Sequence, residues 1–140
     1  MNIDKYFNMA KESSRNSDYY KIHIGACLVY KNRVIATGYN STSSHPMQKH
    51  YNIFRNKDDR QYNIDRQSNC VHAEIACLIA TRHLNIDYTK CSIFVYREDK
   101  SGSTRLSRCC GACEQALIER GIKNLYYTTE KGYNYERIGE

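Results

Sequence analysis

Ile22-His23-Ile24-Gly25-Ala26-Cys27-Leu28-Val29-Tyr30 places apolar side chains on both faces of an extended chain, as a central strand covered by helices on either side requires. Lys31-Asn32 then makes a short turn into a second strand, Arg33 to Tyr39. Upstream, Ile3, Tyr6, Phe7 and Ala10 fall at i, i+3, i+4 and i+7, so a helix with one apolar stripe is predicted, with Asn2 as its cap. Downstream lies a polar stretch of roughly thirty residues, Asn40 to Asn69, a length that in compact domains is usually functional or disordered. Helical periodicity returns at Val71, Ile75, Leu78 and Ile79, followed by a strand at Cys91 to Tyr96. After the loop 97–108 a helix is predicted from Cys110 to Arg120, stopped by Gly121. Further strands are predicted at Ile122 to Thr128 and, beyond the turn Glu130-Lys131-Gly132, at Tyr133 to Ile138. The order αββαβαβ with a closing hairpin implies an α/β fold: a mixed five-stranded sheet with helices on both faces.

At 140 residues, one domain over 1–140 is expected, large enough to bury its own core. Hydrophobic residues at 41% and charged residues at 26% are ordinary for a globular chain. The apolar run Ile75-Ala76-Cys77-Leu78-Ile79-Ala80 is too short for a membrane span, which needs about 20 residues, and Met1-Asn2-Ile3-Asp4-Lys5 lacks a secretory pattern. A cytoplasmic location is expected. Seven cysteines, an odd number, argue against an exported disulfide framework. Cys27, Cys70, Cys77 and Cys91 lie in apolar stretches and read as small buried hydrophobes. A formal charge of +6 favours an anionic partner without bearing on the fold.

Two short motifs carry the chemistry. His72-Ala73-Glu74 and Cys110-Gly111-Ala112-Cys113 together supply three soft metal ligands and one spare carboxylate. A catalytic zinc takes three protein ligands and keeps its fourth position open, whereas a structural zinc is closed by four. His72, Cys110 and Cys113 are therefore the predicted ligands and Glu74 the proton carrier. Both motifs open a predicted helix. Cys110 and Cys113, three apart, share a face, and the positive end of the helix dipole favours the thiolates a metal needs. His72 and Glu74 are two apart and can converge only at a helix start. Rival readings are a thioredoxin-like redox pair, which leaves His-Ala-Glu unexplained, and a closed structural zinc that adds Cys70 as fourth ligand. Cys109 offers a competing thiol beside Cys110, although the spacing to Cys113 favours Cys110.

Val71-His72-Ala73-Glu74-Ile75-Ala76 followed by Cys110-Gly111-Ala112-Cys113-Glu114 resembles the zinc-binding signature of the cytidine and deoxycytidylate deaminase superfamily. The element order from residue 22 onward is similar to that fold. The family usually has proline before the first ligand cysteine; this chain has Cys109. The resemblance implies a Zn2+ cofactor and a hydrolase acting on the C–N bond of a cyclic amidine, converting cytosine to uracil. Glu74 would take the proton of a zinc-activated water and deliver it to ring nitrogen N3. It further implies that Asn40, within Gly38-Tyr39-Asn40, binds the substrate's sugar, and that the backbone N–H of Ala73 binds the base's carbonyl oxygen. Family members often form dimers or tetramers, which leaves a homo-oligomer open.

For the substrate, the stretch 40–69 interleaves basic and aromatic side chains: His45, Lys49, His50, Tyr51, Phe54, Arg55, Lys57, Arg60, Tyr62 and Arg66. Such a mixture suits a groove that stacks bases and tracks phosphates, and Arg97, Lys100, Arg105 and Arg108 add charge in the loop 97–108. Over 45–66, however, five basic and three acidic residues leave a net of only +2. His45-Pro46 could instead order a small nucleotide pocket, with His45 as a substrate contact. The expectation leans to cytosine in single-stranded DNA or RNA, with free cytidine or deoxycytidine nucleoside or nucleotide close behind. An adenine or guanine deaminase and a non-catalytic zinc-containing nucleic-acid-binding module are further alternatives. No membrane partner is expected.

Overall fold

A computed structural model describes residues 2–19, 22–55 and 70–140. Helix α1 (Ile3–Ser14) starts at Asn2, whose side-chain oxygen accepts the Lys5 N–H at 3.1 Å, and it buries Tyr6, Phe7 and Ala10 as the stripe predicts. Strands β1 (Ile24–Tyr30) and β2 (Arg33–Tyr39) follow. Lys31 and Asn32, at φ 48° and 65°, form the doubly left-handed turn that matches the twist of a two-residue hairpin. Within 40–69 lie α2 (Pro46–Tyr51) and a 3-10 turn, Asn52–Phe54. The rest of the fold is α3 (Ala73–Thr81), a 3-10 turn at Tyr88–Lys90, β3 (Cys91–Arg97), α4 (Gly111–Arg120), β4 (Asn124–Thr129) and β5 (Gly132–Arg137).

The five strands form one mixed sheet in the order β2-β1-β3-β4-β5. β3 and β4 are parallel, linked by α4 as their crossover, and the other pairs are antiparallel, including the closing β4–β5 hairpin. Alternation along the strands divides the core. Cys27, Val29, Phe94 and Tyr96 pack under α1, while Ala26, Leu28, Ile93, Val95 and Leu125 face the side holding α3 and α4. Two glycines let the helices sit close. A Cβ at Gly25 would lie 1.9 Å from the Ala10 carbonyl oxygen of α1, and one at Gly38 would lie 2.5 Å from that of Ala73 in α3.

The fold class is as expected, and the differences are local. Ile22 and His23 do not join β1, because the Asn40 side chain takes the ends of this segment: its Nδ2 donates to the Ile22 carbonyl and its Oδ1 accepts the Ile24 N–H. Ile122 likewise precedes its strand, its N–H being taken by the Leu117 carbonyl at the end of α4, and β5 starts at Gly132 instead of Tyr133. The stretch expected to lack regular structure contains α2, opened by Pro46 and capped by His45, whose Nδ1 accepts the Met47 N–H at 3.0 Å. Among the described residues no helix is long and apolar enough to cross a membrane.

Candidate active site

The parallel pair β3–β4 ends where α3 and α4 begin, the carboxyl-end crevice in which α/β sheets commonly hold ligands. His72 is the N-cap of α3 and Cys110 the N-cap of α4, both extended and neither making a side-chain capping bond. Their side chains turn toward each other instead. His72 Nδ1 lies 3.4 Å from Cys110 Sγ and 3.3 Å from Cys113 Sγ, and the three donor atoms lie within 4.8 Å of one another. Zinc–sulfur and zinc–nitrogen bonds of about 2.3 and 2.0–2.1 Å at a tetrahedral angle put N and S about 3.5 Å apart. The donor set therefore fits zinc in both chemistry and spacing.

Burial and mutual contact split the two thiols. The hydrogen bond from Cys113, with the nearby His72, holds Cys110 well below an ordinary thiol. Burial pushes Cys113 well up; a metal must displace its proton, which makes affinity pH-dependent. Cys109 is buried in the main core, its thiol pushed well up by desolvation. Cys70 lies half-buried beside the Thr42 carbonyl at 3.8 Å. Neither joins the ligand cluster among the described residues, so both the closed four-ligand site and the Cys109 register are set aside.

A cavity of about 360 Å³ opens onto the cluster, bordered by Asn40, His72, Ala73, Glu74, Ser107 and Cys110 among others, a size within the usual range for small-molecule sites. Glu74, 4% exposed, is the second residue of α3, and this brings it and His72 to one cavity despite their spacing of two. Ala73 is the first residue of α3, where backbone N–H groups have no partner inside the helix. Asn40 borders the cavity while bonding Ile22 and Ile24; one N–H and one lone pair of its amide lie beyond those two bonds. His45 is not brought to this cavity. It caps α2 and borders a separate depression with Ser44, Pro46 and Lys49.

Several supporting residues escaped the sequence reading. Gln48, 1% exposed, accepts the His72 N–H at 3.0 Å and donates to Asn52. Ser107 donates to the Val95 carbonyl and accepts from both the N–H and the hydroxyl of Thr128, each at 2.8 Å, which fixes the segment before the ligand cysteines to β3 and β4. No local pattern marks these residues; only the Pro46 helix start hinted at order near Gln48. Of the three arginines at the cavity, Arg97 donates to the Leu106 carbonyl and the other two are tied to acids. Arg105 pairs with Asp99 at 2.7 Å and Glu130 at 3.4 Å, and Arg108 with Glu114 at 2.7 Å and Glu136 at 2.8 Å. Asp99, bonded by Ser101 and then Arg105, is held down to about 2.

The fold is shared with solved deaminases. Cytidine deaminase from Burkholderia pseudomallei superposes with a TM-score of 0.65 at 19% identity, covering 98% of this chain and 93% of that one. Cytidine deaminase from Mycobacterium tuberculosis gives 0.58 at 19% identity, covering 99% and 92%. The dCMP deaminase of cyanophage S-TIM5 gives 0.57 at 19% identity, covering 91% and 82%. A search of curated proteins by sequence returned no match. Residues 1–129 match the cytidine and deoxycytidylate deaminase zinc-binding region, and the chain accordingly belongs to this family of zinc-dependent deaminases.

Proposed function

We propose that the protein hydrolytically deaminates the cytosine base of a free nucleoside or nucleotide, with His72, Cys110 and Cys113 holding zinc and Glu74 carrying the proton. The observation that carries this reading is Glu74 itself: a carboxylate buried at the cavity wall beside the ligand cluster yet outside it. A structural zinc has no use for such a group. Zinc, when bound, supplies the acidity that makes water a nucleophile at neutral pH, lowering its pKa from about 15.7 toward 7.

Glu74 would accept one proton of the attacking water and present it to ring nitrogen N3, so that the neighbouring C4 becomes electrophilic; it would then take the water's second proton from the hydroxyl formed on C4 and give it to the amino group, which leaves as ammonia when the C4–N bond breaks. The Ala73 N–H, at the helix start, suits the base's carbonyl oxygen. The amide of Asn40, held by Ile22 and Ile24, suits a sugar hydroxyl. A direct role for His45 finds no support in its position at the separate depression.

The expected lean toward a polynucleotide finds no support among the described residues. A strand groove needs cations available to phosphates, but Arg105 and Arg108 each already meet two carboxylates. Lys57, Arg60, Tyr62 and Arg66 of the expected groove lie outside the described residues. A cavity of about 360 Å³ favours a small substrate. Mass spectrometry of zinc-loaded protein incubated with cytosine nucleosides, nucleotides and a cytosine-containing single-stranded oligonucleotide tests this directly. Conversion of a free nucleoside or nucleotide is expected; conversion of the oligonucleotide alone would overturn the reading.

A further inference from the structure

We infer that Arg108 is a positioning residue for the metal site, holding the start of α4, and with it Cys110 and Cys113, in ligating register through Glu114 and Glu136. The inference rests on the zinc reading of His72, Cys110 and Cys113. It begins from a missing cap. Cys110 occupies the N-cap of α4 but makes no conventional cap bond through a side-chain oxygen, its sulfur being turned to His72 and to the side chain and N–H of Cys113. A conventional cap contributes typically about 1 kcal/mol and fixes where a helix begins.

Arg108 spans that gap. Its Nη2 donates to Glu114 Oε1 in the first turn of α4 at 2.7 Å, and Nε and Nη2 reach the two oxygens of Glu136 on β5 at 2.8 and 3.4 Å. Nη1 reaches the Cys109 carbonyl at 3.3 Å. Glu136 stands opposite Leu125 in the β4–β5 ladder, so the clamp ties the helix start to the sheet. Ser107, one residue earlier, is held by its buried bonds to Val95 and Thr128. Between that fixed point and Cys110 only Arg108 and Cys109 intervene, and the Arg108 side chain sets how they turn. Single exposed ion pairs contribute little, but a guanidinium spread over two carboxylates, one of them gripped at both oxygens, adds direction as well as energy.

The test measures the metal site itself. Zinc affinity, by chelator competition, and the ligand-field absorption of the cobalt(II)-loaded protein are compared for the parent, Arg108→Met, Arg108→Lys and Glu136→Gln, at a temperature where circular dichroism shows each fully folded. Loss of a group that orients metal ligands typically lowers affinity about 10–100-fold. Arg108→Met should fall in that range with a shifted cobalt spectrum. Arg108→Lys should fail to restore it, since an ammonium cannot grip two carboxylates in fixed geometry. Glu136→Gln, the mildest change, should move both readouts the same way and keeps the test open if Arg108→Met does not fold. Affinity and spectrum within twofold of the parent would overturn the inference, whether the only change is a lower melting temperature, as for a general fold support, or a higher KM, as for a substrate contact. A parent protein that takes up neither metal would instead sink the zinc reading, and this inference with it.

Discussion

The two helices that deliver the metal ligands begin alike and are secured differently. Each is headed by a ligand, His72 or Cys110, in an N-cap position without a capping bond. The start of α3 is sunk in the core: Ala73, Glu74 and Ile75 are buried, the His72 N–H is taken by Gln48, the Val71 N–H by the Ser43 carbonyl, and Gly38 lets the sheet touch the Ala73 backbone. The start of α4 is tied at its rim by Arg108, Glu114 and Glu136, whose side chains are 34%, 32% and 37% exposed. Packing and neutral hydrogen bonds alone hold the first half of the site; the second is packed as well, with Cys109, Ala112 and Cys113 buried, and adds charges at its rim. The half held without charges is the one that also carries Glu74, the group proposed to move a proton.

The largest effect should separate the chemistry of the two halves. Glu74→Gln keeps shape and leaves all three ligands, so zinc should stay bound, measured by metal analysis, while deamination falls by the 10²–10⁴-fold typical of a lost general acid–base. Cys113→Ser on the other half should release zinc. Full activity in Glu74→Gln would remove the proposed proton role. Next in size is the packed support. A Cβ at Gly38 meets the Ala73 oxygen at 2.5 Å and the Ala76 Cβ at 2.8 Å, so Gly38→Ala must push α3 off the sheet at a cost on the order of 1–3 kcal/mol. Denaturant unfolding should show this loss with and without zinc. A neutral Gly38→Ala would mean that the close approach does not secure α3.

A smaller loss is expected where a single hydrogen bond is removed. Gln48→Leu fills the same buried space but leaves the His72 N–H without its acceptor, a penalty of about 1–3 kcal/mol. Unfolding of the metal-free variant reads the penalty, and chelator competition should show weaker zinc binding than in the parent. Unchanged stability and affinity would show that the α3 start is secured by packing alone.

Much of this arrangement was legible in local pattern. The doubly apolar run that becomes β1, the α1 stripe and the two ligand motifs are read directly, because each depends on residues within one or two helical turns or one strand. What escaped depends on distant partners. α2 is only six residues long, and its cap is His45, a residue type outside the preferred caps, so no periodicity announced it. Gln48 gains its role only because α2 folds back on His72, 24 residues away. The arginines of the loop 97–108 suggested a cationic groove; Glu130 and Glu136, from the turn before β5 and from β5 itself, meet them only in the folded chain. Counting charges along the sequence could not show that Arg105 and Arg108 each already meet two carboxylates.

The smallest predicted effect follows from that pairing. Asp99 is held down to about 2, by Ser101 first and by Arg105, and Glu136 is lowered by its bond from Arg108. A carboxyl whose folded value lies below its unfolded one stabilises the fold above the unfolded value, near 4, and loses that contribution as pH falls through the folded value. The loop leading into α4 should therefore loosen between about pH 4 and pH 2 as Asp99 takes up its proton, and the rim of α4 on acidification through Glu136, whereas the Gln48 and backbone bonds at the start of α3 have no proton to gain. Hydrogen exchange on the metal-free protein removes the pH dependence of thiolate ligation, and variants at Asp99 and Glu136 separate these two carboxyls from the other titratable side chains of the segments, His72, Glu74 and Cys110 among them. Protection in 98–114 should fall before protection in 71–81 on acidification, and Asp99→Asn with Glu136→Gln should flatten the pH dependence of the first segment. Both carboxylates are partly exposed, so the shift is expected to be small and to shrink further in high salt. Simultaneous loss of protection in the two segments would mean that α4 is held by its core contacts as firmly as α3.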